Sequence, residues 1–127
     1  KLMADDFSLK NSINTTVTYT GNLEYITNLQ WKIILENTYE ALTNALKYSS
    51  ASHIQIKLDV MNRLVKAEVR DNGKGALLIN KGMGLTGMEE RTENAGGKLI
   101  LDGSGGFSVI TLLPVNEVGY GDKGINS

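Results

Sequence analysis

"LVKAEVRDNGKG", residues 64–75, alternates like a strand and then stops on the wrong kind of residue. Val65, Ala67 and Val69 point one way while Lys66, Glu68 and Arg70 point the other, the period of a half-buried strand. One further step puts Asp71 on the buried face. A lone ionised carboxylate there costs on the order of several kcal/mol unless it is paired or hydrogen-bonded. Two explanations stand side by side. Asp-Asn-Gly is a common turn sequence, in which the aspartate accepts from backbone N–H groups. Alternatively, Gly73 and Gly75 leave the main chain bare on both sides of Lys74, so that a flat molecule can approach closely. The carboxylate would then accept from an exocyclic amino group such as adenine presents.

Upstream, "HIQIKLDV" (53–60) also alternates, with Ile54, Ile56, Leu58 and Val60 on one side, and "MNR" (61–63) suits a hairpin into the strand that ends at Asp71. "NTTVTYTG" (14–21) is rich in β-branched residues and reads as a strand closed by a glycine turn. Between them the pattern predicts a helix over 25–48, with Leu35, Tyr39, Leu42 and Leu46 on one face, and "SSAS" (49–52) ends it. Downstream, a second helix is expected over 85–94, then strands in "GKLILDG" and "FSVITLLP" joined by "SGG". Pro114 closes the last strand because it cannot donate to a ladder. The order of strand, helix, two strands, helix, two strands predicts an α+β two-layer sandwich. Its sheet would be mixed and mostly antiparallel, with helices on one face.

The first helix carries a second unusual pattern. In "ENTYEALTNALKYS" (36–49), Glu36, Glu40, Asn44 and Lys47 fall on one stripe, offset from the leucines. Most such stripes are solvated faces. Asn44 is the discordant member, since Asn in a helix interior costs roughly half a kcal/mol relative to Ala and has no cap to make there. An amide oxygen, a carboxylate one turn earlier and an ammonium nearly one turn later could instead serve a hard cation carrying phosphate oxygens. Mg²⁺ commonly takes only one or two protein ligands and completes its shell with phosphate and water.

"GMGLTGMEER" (82–91) is the third feature: Gly82, Gly84 and Gly87 precede or open a helix, whose free N–H groups and positive dipole end suit phosphate. A G-x-G-x-x-G alone usually suggests a dinucleotide fold, but the flanking strands read as hairpins and no acidic strand end stands at the expected distance. The glycines therefore fit a loop covering phosphates. Met83, Leu85 and Met88 line an apolar slot or belong to the core, the latter being the expectation for Met88.

The bulk numbers restrict the classes further. A chain of 127 residues is about one domain. Its net charge of −1 gives no electrostatic reason to expect nucleic acid. There is no cysteine, which excludes disulfides and thiolate metal sites and is compatible with a reducing cytoplasm. No apolar run is long enough to cross a bilayer, and no signal-peptide pattern is present. The chain opens on Lys1 rather than Met, as a piece of a longer protein would.

Taken together, "EALTNALKYS", "DNGKG", "GMGLTGMEER" and "GGFSVITLLP" occur in the order and spacing of the ATP-binding domain of two-component sensor histidine kinases. More narrowly they resemble the branch paired with helix-turn-helix response regulators, within the superfamily that includes gyrase, heat-shock chaperone and mismatch-repair ATPases. The resemblance covers about 14–114 and implies the Bergerat-type ATP-binding fold. Residues 1–13 are then a linker or the remnant of an upstream segment, and 115–127 a flexible tail.

The resemblance also implies roles, residue by residue. Asn44 becomes the Mg²⁺ ligand of the family's asparagine box, and Glu40 the acid that polarises water or steadies the metal. Lys47 would contact phosphate. Asp71 would accept from the adenine amino group, with Gly73 and Gly75 giving the base room. Gly82, Gly84 and Leu85 would flank the nucleotide lid and the helix beneath the phosphates. ATP and Mg²⁺ are the implied ligands. The implied partners are the dimerisation and histidine-phosphotransfer domain of a homodimeric parent and, downstream, a response regulator, in a cytoplasmic setting with or without a membrane anchor on the parent.

The chain departs from the pattern in three places. Tyr48 stands where the family often has His. Phe107 stands where many relatives carry a Thr that supports the adenine site. "ALLINK" (76–81) makes a short lid, which fits this branch. His53 opens a strand after a serine-rich turn and reads as a strand-end residue, so the phosphoacceptor histidine is expected on another domain. Two other functions remain open on this fold. One is an ATPase that hydrolyses to water, disfavoured because there is no room for a transducer domain. The other is a non-catalytic protein-binding regulator, disfavoured because Glu40, Asn44 and Asp71 are all intact.

Overall fold

The computed structural model describes residues 13–73 and 84–115, leaving aside the side chains at 48 and 49. Five strands form one sheet in the order β1-β2-β3-β5-β4: β1 (Asn14–Thr20), β2 (His53–Val60), β3 (Leu64–Asp71), β4 (Lys98–Asp102) and β5 (Phe107–Pro114). β1 runs parallel to β2, and every other pairing is antiparallel. Two α-helices, α1 (Asn28–Asn44) and α2 (Leu85–Asn94), pack against the same face of this mixed sheet. This is the α+β sandwich with a mostly antiparallel sheet expected from the element order.

The strand and α2 boundaries follow the sequence pattern; α1 does not. It begins at Asn28 rather than Tyr25 because Thr27 and Gln30 form a reciprocal cap. The Thr27 hydroxyl accepts from the Gln30 N–H at 3.1 Å, and the Gln30 amide oxygen accepts from the Thr27 N–H at 3.0 Å. The face turned to the sheet also differs from the leucine stripe. Leu35, Tyr39 and Leu46 are 48%, 63% and 46% exposed, whereas Ile33, Ile34, Asn37, Thr38, Ala41, Leu42 and Asn44 are buried. The buried face thus mixes Ile33, Ile34 and Leu42 with small and polar residues, and only Leu42 of the expected stripe faces the core. After Asn44 the helix widens into a π-type turn, Ala45–Ser49, and ends at Ser50 in the left-handed region (φ 55).

Register explains how the core is divided. Ile54, Asp71 and Phe107 stand side by side on β2, β3 and β5, as do Ile56, Val69 and Val109, then Leu58, Ala67 and Thr111, then Val60, Val65 and Leu113. The apolar members of the first two rows join Ala41, Leu42, Ala45, Leu85 and Met88 in one cluster. The last row joins Ile26, Ile33 and Ile34 in another. Ile13 and Val115, which flank the strands, are buried in the first and second cluster respectively.

A polar layer lies between the clusters on three elements. The amide nitrogen of Asn37 donates to the hydroxyls of Thr92 and Thr111, each at 2.9 Å, and all three side chains are buried. The Thr92 hydroxyl in turn donates to the Met88 carbonyl at 2.6 Å. No helix among the described residues is long and apolar enough to cross a membrane.

Candidate functional site

Asp71 is on the inward face and only 5% exposed, between Ile54 and Phe107. Its Oδ1 accepts from the Gly73 N–H at 2.8 Å and from the Phe107 N–H at 3.4 Å. The turn explanation is thus realised at one oxygen. Among the described residues Oδ2 has no partner. The turn itself is tied back by Asn72, whose Oδ1 accepts from the Ser52 and His53 N–H groups at 3.0 and 3.1 Å. Its Nδ2 donates to the Ser52 hydroxyl at 3.0 Å. The loop is therefore pinned without the second aspartate oxygen.

Phe107 supports Asp71 through its backbone, while its side chain is buried in the core. Gly106 makes that approach possible: it stands at φ +111, and a Cβ there would lie 2.1 Å from the Asp71 carbonyl oxygen.

The same end of the core receives the C-terminal half of α1. Ala41, Leu42 and Ala45, which bracket Asn44, pack in the cluster that holds Ile54, Val69 and Phe107, the neighbours of Asp71. Asn44 is 7% exposed, so it leaves the solvated stripe on which its spacing placed it. Lys47 is exposed in the last turn. Leu85 and Met88 are both buried in the cluster beneath. Among the described residues no group of three or more His, Asp or Glu side chains is arranged to hold a metal ion. A cation here would depend on oxygens carried by its ligand. The single buried amide of Asn44 fits Mg²⁺ on a nucleotide in that respect, since such an ion takes only one or two protein ligands.

Glu40 and Gly84 meet. Gly84 begins α2 at φ +80, and a Cβ on it would lie 2.6 Å from Glu40 Oε2. The other oxygen, Oε1, accepts from Arg91 Nη1 at 2.7 Å, and the same nitrogen donates to Asn37 Oδ1 at 2.7 Å. Arg91 Nε is 3.4 Å from Glu36 Oε1, and Glu36 is 3.7 Å from Lys32 Nζ. The sequence reading missed Asn37 and Arg91. Asn37 was detectable, since it is a second mid-helix asparagine seven residues before Asn44 and so on nearly the same face. Gly73 is described and half-buried, while Gly75, Gly82 and Met83 lie outside the described residues.

On the edge strand β4, one step along the ladder from the Asp71 row, Asp102 Oδ1 accepts from the backbone N–H and hydroxyl of Ser104 at 3.0 and 2.8 Å. These bonds hold its carboxyl below the usual range, and Arg70 adds to the effect.

A helical layer on a mixed sheet, with a buried asparagine and an inward strand-end aspartate, defines a class that comparison with known proteins makes specific. No protein-family model matches the chain. It is 34% identical over 82 residues to the signal transduction histidine-protein kinase/phosphatase DegS of Bacillus subtilis, a match covering 60% of this chain and 21% of that protein. It is 33% identical over 105 residues to the sensor histidine kinase YvfT of the same organism, covering 80% of this chain and 28% of YvfT. The blue-light activated histidine kinase of Erythrobacter litoralis shares the fold, with a TM-score of 0.70 at 20% identity over 90% of this chain and 43% of that one. The chain belongs with the catalytic domains of sensor histidine kinases. It spans about a quarter of the length of the curated relatives it matches.

Proposed function

We propose that this chain is the ATP-binding half of a sensor histidine kinase that presents the γ-phosphate of ATP to a histidine on a separate dimerisation domain. The observation that carries the proposal is Asp71: inward, bonded to its loop through one oxygen, and with no described partner for the other. That second oxygen would accept from the adenine amino group, with Gly73 and Gly75 leaving room for the ring. Asn44 would supply the amide oxygen that holds Mg²⁺, beside Glu40, with Lys47 reaching phosphate. Gly82, Gly84 and Leu85 would form the border and floor of the lid. Bound Mg²⁺ would offset the negative charge of the phosphates. The residues do the rest by orientation, which is the larger part of phosphoryl transfer catalysis.

A dimerisation domain and a response regulator of the helix-turn-helix type are the partners this function requires, and a cytoplasmic location follows from the supply of ATP. Calorimetry on the 127-residue chain tests the proposal. Asp71→Asn should weaken ATP binding by about 1–3 kcal/mol, the size of a lost charge-assisted hydrogen bond. Unchanged affinity in that variant removes the assignment.

A further inference from the structure

Arg91 has no part in the binding scheme above, yet its guanidinium joins α1 to α2 at the place where the scheme needs them aligned. Nη1 is 2.7 Å from both Glu40 Oε1 and Asn37 Oδ1, and Nε is 3.4 Å from Glu36 Oε1. Asn37 is buried, and the Arg91 and Glu40 side chains are about one-third exposed. The other Glu40 oxygen faces Gly84, where any Cβ would intrude to 2.6 Å. One helix thus constrains both oxygens of a single carboxylate. Arg91 donates to one, and Gly84, seven residues earlier, leaves space for the other.

We propose that Arg91 is a positioning residue that acts through Glu40. By holding that carboxylate against Gly84, it sets the N-terminus of α2 relative to the turn of α1 that carries Asn44. An arginine suits this task because its planar, permanently charged group donates from several nitrogens at once. The inference rests on the ATP–Mg²⁺ function proposed above. It also gives Glu40 a definite state, bonded to Arg91 rather than available as an unpartnered base.

A plain interhelical tie and a positioning residue differ in how binding responds to metal. The Asp71 end of β3 is held by Asn72, Gly73 and Phe107, none of which touches Arg91, so contact with the base should survive its loss. Calorimetry of the wild-type chain and of Arg91→Met, with ATP in Mg²⁺ and with ATP in chelator, separates the two. Arg91→Met should weaken Mg²⁺–ATP binding by about tenfold and metal-free ATP binding by less than about twofold. Glu40→Gln should show the same selective loss, and the double variant should be no worse than the poorer single one. Equal losses with and without metal, or losses that add in the double variant, overturn the proposal. Should circular dichroism show Arg91→Met unfolded, Arg91→Lys carries the test: a smaller loss confined to Mg²⁺–ATP supports positioning, and a metal-independent loss or none overturns it. A wild-type chain that binds no ATP defeats the underlying function and this inference with it. A wild type that binds normally beside an unaffected Arg91→Met defeats the inference alone.

Discussion

The two ends of the sheet are built on the same alternation and put to opposite uses. At the end where Val60, Val65 and Leu113 stand in a row, the buried side chains are apolar and meet Ile26, Ile33 and Ile34. At the other end the matching row is Ile54, Asp71 and Phe107, so a carboxylate takes a place that a valine or isoleucine would otherwise fill. Asn44 is buried on the helix above that end. Burial of apolar area is the dominant favourable term in folding, and both ends supply it, the first without a carboxylate in its row. The second gives up part of that stabilisation to keep a polar atom directed inward. Stability and binding should therefore respond to substitution at opposite ends.

The largest expected effect is at the apolar end. Leu113→Ala should destabilise the fold by about 2–5 kcal/mol, read from urea unfolding, while the folded fraction keeps the wild-type ATP affinity. A large change in affinity would break the division. Next comes the layer between the ends. Asn37→Ala strips partners from Thr92, Thr111 and Arg91 together and should cost about 2–3 kcal/mol, in the range for buried polar groups left unsatisfied. A loss below about 0.5 kcal/mol would mean that water replaces the amide.

At the Asp71 end the order reverses. Asp71→Asn, which should lose ATP affinity as described above, retains an Oδ1 that can accept from Gly73 and Phe107. Its unfolding free energy should change by less than about 1 kcal/mol. A stability loss as large as that of Leu113→Ala would mean that the carboxylate serves folding first.

The smallest effect lies on the edge strand β4, outside the core. The folded-state pKa of Asp102 is depressed by Ser104 and Arg70, so its stabilising contribution is complete above the unfolded-state pKa and is lost as pH falls through the folded one. Ser104→Ala should move the carboxyl titration midpoint upward, and the acid-side loss of stability, below about pH 4, should begin at a slightly higher pH. An NMR titration that leaves the midpoint in place would assign the depression to the backbone N–H of residue 104, which alanine retains, and to Arg70.

Much of this was legible in the sequence because strands announce themselves by period. The limits of β2 and the end of β3 at Asp71 followed from alternation, and those of α2 from its glycine start. The inward direction of Asp71 came from extending the same count by one. The buried face of α1 does not follow its leucine stripe, since Leu35, Tyr39 and Leu46 face outward. The buried face also includes Asn37, which depends on hydrogen bonds to Thr92 and Thr111, 55 and 74 positions away. No local count can supply partners at that separation. The parallel pairing of β1 with β2 was hidden for the same reason, since it depends on α1 carrying the chain back across the sheet. At the site, Asn44 and Asp71 stood out because each breaks its own pattern, whereas Arg91 breaks none: a basic residue in the last turn of a helix is ordinary.

The Asn37 bonds also act as a detent. Apolar surfaces can slide past one another by a helical turn with modest change in contact, but an amide whose two hydrogens reach two particular hydroxyls cannot. Asn44 lies two turns further on, about 10 Å along the same rod. The Asp71 end of the molecule thus inherits its phase from a lock set in the middle, and slippage there would misalign Asn44 before any side chain around Asp71 had changed.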